Sequence, residues 1–134
     1  MKKMSPHLRN VVMLLLVIVL MTRTEGGLRI PKRKHVRITN SLESKVDLTV
    51  HCKSGDDDLG EQKVPPTENF EFSFKTNFGG TTLFFCSFEW SNEFHWFEVY
   101  SSFRDCKYCY WDIFQDGPCM YGTCYRWKKS LGGI

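Results

Sequence analysis

Several signatures of catalysis are missing from this sequence. It has no nucleophile elbow, no His-Glu-x-x-His pair and no glycine-rich loop of the kind that cradles phosphate. His51 and His95 are the only histidines inside expected strands. Nothing in their spacing to the acids brings a general acid and a general base within hydrogen-bond reach. No enzymatic activity, cofactor or small-molecule substrate is therefore expected. No internal repeat or low-complexity segment is present, which excludes a solenoid. Asn40, Asn69, Asn77 and Asn92 all lack a hydroxyl residue two places on, so N-glycosylation is not expected. Aromatic residues are absent before Phe70, and no amphipathic helical stretch follows the N-terminal region, which argues against a helical bundle.

A membrane-long apolar run is lacking too. Lys2, Lys3 and Arg9 precede Val11 to Met21 (VVMLLLVIVLM), which stops at Thr22-Arg23, whereas a membrane span needs about 20 apolar residues. A basic start followed by a short apolar core is the pattern of a cleaved secretory signal. Small residues at Thr22 and Thr24, or Thr24 and Gly26, place cleavage between about 24 and 27. Residues 1–26 are thus expected to be a signal peptide and the product to be secreted and extracellular. Removing Lys2, Lys3, Arg9 and Arg23 leaves 14 of the 18 basic residues against 15 acidic ones. A slightly acidic product has no bulk attraction for polyanions, so no nucleic-acid partner is expected. Locally, Arg29, Lys32, Arg33 and Lys34 make residues 27–35 a basic N-terminal arm, read as a solvated terminus.

What remains is rich in cysteine and aromatics. Cys52, Cys86, Cys106, Cys109, Cys119 and Cys124 form an even set in a small secreted chain, which reads as a disulfide framework. Each bridge contributes about 2–4 kcal/mol, and the spacing alone does not choose their pairing. Cys106-x2-Cys109-x9-Cys119-x4-Cys124 has an outward likeness to a zinc ribbon, and Cys106-Lys107-Tyr108-Cys109 to a redox motif. An oxidising compartment disfavours thiolate ligands, and no βαβ pattern surrounds the second motif. No metal site is expected, and the acids Asp56, Asp57 and Asp58 lack the alternating spacing of a calcium loop.

Two-residue alternation recurs along residues 36–127. Val46, Leu48, Val50 and Cys52 face one way, as do Phe70, Phe72 and Phe74 in a second segment. In Thr82 to Trp90, Phe84, Cys86, Phe88 and Trp90 share one face, but Leu83 and Phe85 occupy the other. Such a strand is covered on both sides or else meets a partner, and coverage of Leu83 and Phe85 by the chain's own N- or C-terminal segment is expected. His95 to Tyr100 and Tyr108 to Phe114 supply two further strands, and Cys124-Tyr125 opens a short last one. Polar stretches at 54–60, 76–81, 91–94 and the hydrophilic run 101–107 punctuate these segments. The fold class expected is all-β, a small antiparallel β-sandwich stabilised by disulfides, with residues 128–134 as a C-terminal tail.

The strings His51-Cys52-Lys53-Ser54-Gly55-Asp56-Asp57-Asp58-Leu59-Gly60 and Thr82-Leu83-Phe84-Phe85-Cys86-Ser87-Phe88 resemble signature segments of the plant self-incompatibility S-protein homologues. Cys109-Tyr110-Trp111-Asp112-Ile113 and Asp116-Gly117-Pro118-Cys119 resemble the C-terminal portion of that family. Cys106 and Cys124 are less typical of it. The resemblance implies a secreted, non-enzymatic recognition ligand that meets a cell-surface membrane protein of a plant cell, with pollen–pistil self-recognition as one role. Direct membrane binding is not expected; a membrane-active defence protein is the alternative. Loops on a rigid scaffold commonly carry recognition. The partner-binding candidates are therefore Asp56, Asp57, Asp58, Asn92, Glu93, Arg104 and Asp105.

Overall fold

The computed structural model describes residues 5–23 and 30–128. The apolar run lies in helix α1 (Pro6–Arg23), whose side chains from Val11 to Ile18 are exposed. No helix among the described residues is long and apolar enough to cross a membrane. The remainder forms nine strands: β1 (Arg33–Asn40), β2 (Leu48–Lys53), β3 (Asp58–Val64), β4 (Asn69–Lys75), β5 (Leu83–Trp90), β6 (Glu93–Ser101), β7 (Tyr108–Phe114), β8 (Gly117–Met120) and β9 (Thr123–Cys124). They make a five-stranded sheet in the order β4-β1-β7-β8-β9 and a four-stranded sheet in the order β3-β2-β5-β6.

Alternation builds the core. Val36 and Ile38 of β1, Leu48 and Val50 of β2, Phe84 and Phe88 of β5, and Trp111 and Ile113 of β7 are buried. Each fully buried side chain of this size contributes about 1.5–3 kcal/mol. Trp111 is the largest of the fully enclosed side chains, and its indole N–H is satisfied by the Val99 carbonyl at 3.0 Å, as burial of that group requires. Buried Asn40 ends β1. Its amide donates to the Val46 and Val64 carbonyls at 2.8 and 2.9 Å, and its oxygen accepts from the Leu42 N–H. Asn40 is thus a clasp joining the two sheets.

The six cysteines form three disulfides. Cys52–Cys86 links directly opposed residues of β2 and β5 across 34 positions of sequence. Cys106–Cys109 and Cys119–Cys124 are local, with separations of 3 and 5. Gly117, at φ 151°, lets the C-terminal segment lie on β8, because a Cβ there would overlap the Tyr125 carbonyl.

Four expectations need correction. The sandwich is not wholly antiparallel, since β1 pairs with β7 in parallel. The whole length from β2 to β6 separates those strands, so nothing local signals the pairing. Residues 33–35 of the basic arm belong to β1: Arg33, Lys34 and His35 pair with Lys75, Phe74 and Ser73, and Lys34 buries its stem while its ammonium reaches Asp105 at 2.9 Å. The loop at 54–60 is shorter than expected, because β3 begins at Asp58; as an edge strand, with Val64 its one buried side chain, it shows no apolar stripe. Coverage of Leu83 and Phe85 by the chain's own termini is not seen among the described residues, and both remain 38% exposed. Residues 24–29 and 129–134, which include the expected cleavage site and most of the tail, lie outside the described residues.

Candidate functional site

Antiparallel connections send loops to two opposite poles of the sandwich. The end of β2, the start of β5 and the end of β6 lie together, because Lys53 opposes Phe85 and Leu83 opposes Ser101. The start of β1 opposes the end of β4 and the start of β7. Loops 54–57, 76–82 and 102–107 therefore share one pole. The hairpin turn at Ser91-Asn92 occupies the other. Its two residues both have positive φ, 37° and 69°, the conformation of a tight two-residue hairpin turn.

At the first pole, the acidic loop is a rigid turn. Ser54 N–H donates to the Asp57 carbonyl at 2.8 Å, and Asp57 N–H donates back to Ser54 Oγ at 3.0 Å. Asp58 is anchored by the Gly60 N–H at 2.9 Å and by His51 Nε2 at 2.5 Å. The Gly60 bond first, then His51, holds its carboxyl below the ordinary aspartate range. Asp56 and Asp57 are left to border a cleft of about 790 Å³ shared with Arg33, Lys75 and Asn77. Among the described residues, no group of three or more His, Cys, Asp or Glu side chains is placed to hold a metal ion.

The neighbouring turn is equally fixed. Asn77 Oδ1 accepts from Thr81 N–H and its amide donates to Thr81 Oγ1, both at 2.9 Å. Ser102 Oγ donates to the Gly80 carbonyl at 2.6 Å and ties this turn to the next loop. In that loop the expected recognition charges are engaged internally. Arg104 donates to the Glu98 carbonyl at 2.6 Å, and its guanidinium lies 4.6 Å from the Phe97 ring centroid and 4.8 Å from that of Tyr125. Asp105 receives Lys34 and the Tyr100 hydroxyl, each at 2.9 Å. The Lys34 bond chiefly holds its carboxyl below the ordinary range.

Of the sequence candidates, Asp56, Asp57, Asp58, Arg104 and Asp105 are thus gathered at one pole. Asn92 and Glu93 are separated from them, and Glu93 binds His95 at 2.9 Å beside the stack of His95 on Trp127. Two residues of the polar stretches 76–81 and 101–107 were not singled out in the sequence, though both lie at the first pole. Phe78 and Phe103, on the two loops joined through Ser102, are 61% and 102% exposed. Aromatics at turn positions, outside any alternation, were the available signal.

Residues 35–131 match the family described as plant self-incompatibility protein S1. The chain belongs to that family. S-protein homolog 2 of Arabidopsis thaliana is 42% identical over 74% of this chain and 71% of its own length. S-protein homolog 3 of the same plant is 35% identical over 96% of this chain and 95% of its own. A solved structure of an SPH (Self-Incompatibility Protein Homologue) protein covers 73% of this chain and 96% of its own, with a TM-score of 0.56 at 19% identity. That protein is described as one of a widespread family of small, highly stable, secreted proteins from plants. The likeness bears out the β-sandwich fold. The matched segment begins at His35, inside β1, and runs past the C-terminal strands.

Proposed function

We propose that this protein is a secreted, non-enzymatic recognition ligand whose first pole docks on a cell-surface membrane protein of a plant cell. The observation that carries the reading is the pair of exposed phenylalanines, Phe78 and Phe103, on rigid loops beside Asp56 and Asp57. Apolar anchors surrounded by polar groups are the usual composition of an interface hot spot. Loops already fixed by hydrogen bonds lose little entropy on binding. Arg104 and Asp105 act here as supports that hold Phe103 outward, and Asp56 and Asp57 supply charge for discrimination. Family membership and the apolar leader support secretion. Self-recognition between pollen and pistil is one setting in which such a ligand works.

The test is saturable binding of labelled protein to intact plant cells. Exchanging residues 101–107 for those of a relative, with Ser101, Arg104, Asp105 and Cys106 kept because they hold the loop to the sandwich, is expected to change which cells bind while the melting temperature stays the same. Phe103→Ala and Phe78→Ala are each expected to weaken binding by about tenfold or more. Unchanged binding in both variants contradicts the reading. Leakage of liposomes at the same protein concentration, without any receptor, favours membrane-active defence instead.

A further inference from the structure

The four-stranded sheet presents an outer face that the loops of the first pole do not explain. Its register sets Glu89 opposite Phe94, Ser87 opposite Trp96, and Phe85 opposite Glu98. Aromatic and acidic side chains thus alternate over adjacent strands. Phe94 and Trp96 are 63% and 59% exposed. With Leu83 and Phe85 they line a groove of about 580 Å³ that also reaches Glu61 on β3.

The charges on this face are unevenly matched. His51 and Lys53, the basic groups lining the groove, both lie on Asp58, at 2.5 and 3.9 Å. Glu61, Glu89 and Glu98 have no ion-pair partner among the described residues. Lys63 shares the face in the row of Glu89, separated from it by Thr49 of β2, and no ion pair joins the two among the described residues. Strands β5 and β6 therefore carry exposed aromatics and carboxylates and no lysine or arginine on their own outer face; Arg104, Arg126 and Lys128 border Phe94, Trp96 and Glu98 only from the β6 edge, where Arg104 is engaged by the Glu98 carbonyl at 2.6 Å.

We propose that this face binds an extended, cationic segment of a partner protein, with lysine or arginine at alternate positions. An extended chain repeats its side chains on one face about every 6.6 Å, the same spacing as Phe94, Trp96 and Glu98 along β6. Each basic side chain lays its aliphatic stem over an aromatic ring and delivers its charge to a carboxylate. Anionic lipid and pectate are repelled by the same acids. The binding rests on charge complementarity and is independent of the loop-mediated docking proposed above.

The experiment uses the full disulfide-bonded protein and a labelled synthetic peptide of alternating lysine and threonine. Saturable binding that weakens with added salt is expected, with none to the matching glutamate–threonine peptide. Trp96→Ala, and separately the double change Glu89→Gln with Glu98→Gln, are each expected to reduce affinity by about tenfold with melting unchanged. Since all three side chains are exposed, these variants are expected to fold, and Trp96→Phe is expected to retain most of the affinity. Equal affinity for the acidic peptide, or insensitivity to both sets of changes, overturns the proposal. So does a preference for a neutral cell-wall oligosaccharide, or self-association of the protein that Trp96→Ala abolishes. Phe103→Ala leaves this affinity unchanged, which separates the result from that of the loop pole.

Discussion

The two sheets follow the same inward–outward alternation, yet their outer faces are finished differently. On the five-stranded sheet, Arg37 binds Glu71 at 3.0 Å and lies 4.0 Å from the Tyr110 ring centroid. Arg33 donates to Ser73 at 2.9 Å, and His35 stacks on Tyr108 at 5.1 Å. Polar and aromatic groups there answer one another within the molecule. On the four-stranded sheet, Phe94 and Trp96 stand in solvent beside carboxylates without ion-pair partners among the described residues. A self-answered face supports the fold. An unanswered one is available to a partner, and its groups are expected to cost little stability when removed.

The sharpest way to break this comparison is to delete a tryptophan on each side. Trp111→Ala, which empties an enclosed site in the five-stranded sheet, is expected to cost about 3–5 kcal/mol. Trp96→Ala on the open face is expected to fall within about 0.5 kcal/mol of the parent. Denaturant unfolding of both variants checks the pair, and equal losses would mean that the open face is structural.

The disulfides offer the next largest effect. Replacing Cys52 and Cys86 by Ala removes a buried bridge that closes a long loop, with an expected loss of about 2–4 kcal/mol. Replacing Cys106 and Cys109 is expected to cost less, because a loop of separation 3 constrains the unfolded chain little. Thermal melting of the two double variants should rank them in that order. Smaller again is Arg37→Ala. Its half-exposed ion pair is worth about 0.2–1 kcal/mol, and its stacking on Tyr110 adds about 0.5–1 kcal/mol. The loss is expected to shrink in high salt.

The smallest effect concerns acid. The carboxyl of Asp105 is held below its ordinary range chiefly by Lys34, so its contribution is present above that range and lost as pH falls through the lowered value. Solvent at the half-exposed carboxylate keeps the effect small. Acid titrations of unfolding should show a shallower acid limb in Asp105→Asn than in the parent.

Legibility in the sequence followed local repetition. β2, β5 and β7 were readable because each buries alternate apolar residues, and Cys52, Cys86 and Cys109 sit on those buried stripes. β3 was not, since an edge strand with one buried residue leaves no stripe. The parallel union of β1 and β7 joins segments remote in sequence, so no short-range pattern announces it. Charged residues drew attention to the loops, but Arg104 and Asp105 are committed to internal partners. The residues left outward, Phe78 and Phe103, were hidden by their placement in turns otherwise polar.

Docking on cells by the loops of the first pole, carried on a rigid sandwich, is tested most directly by a paired measurement on one variant, with residues 54–57 and 76–81 both exchanged for those of a relative. The expected result is an unchanged melting temperature together with loss of saturable binding to cells that bind the parent. Retained binding at full affinity would contradict the central claim.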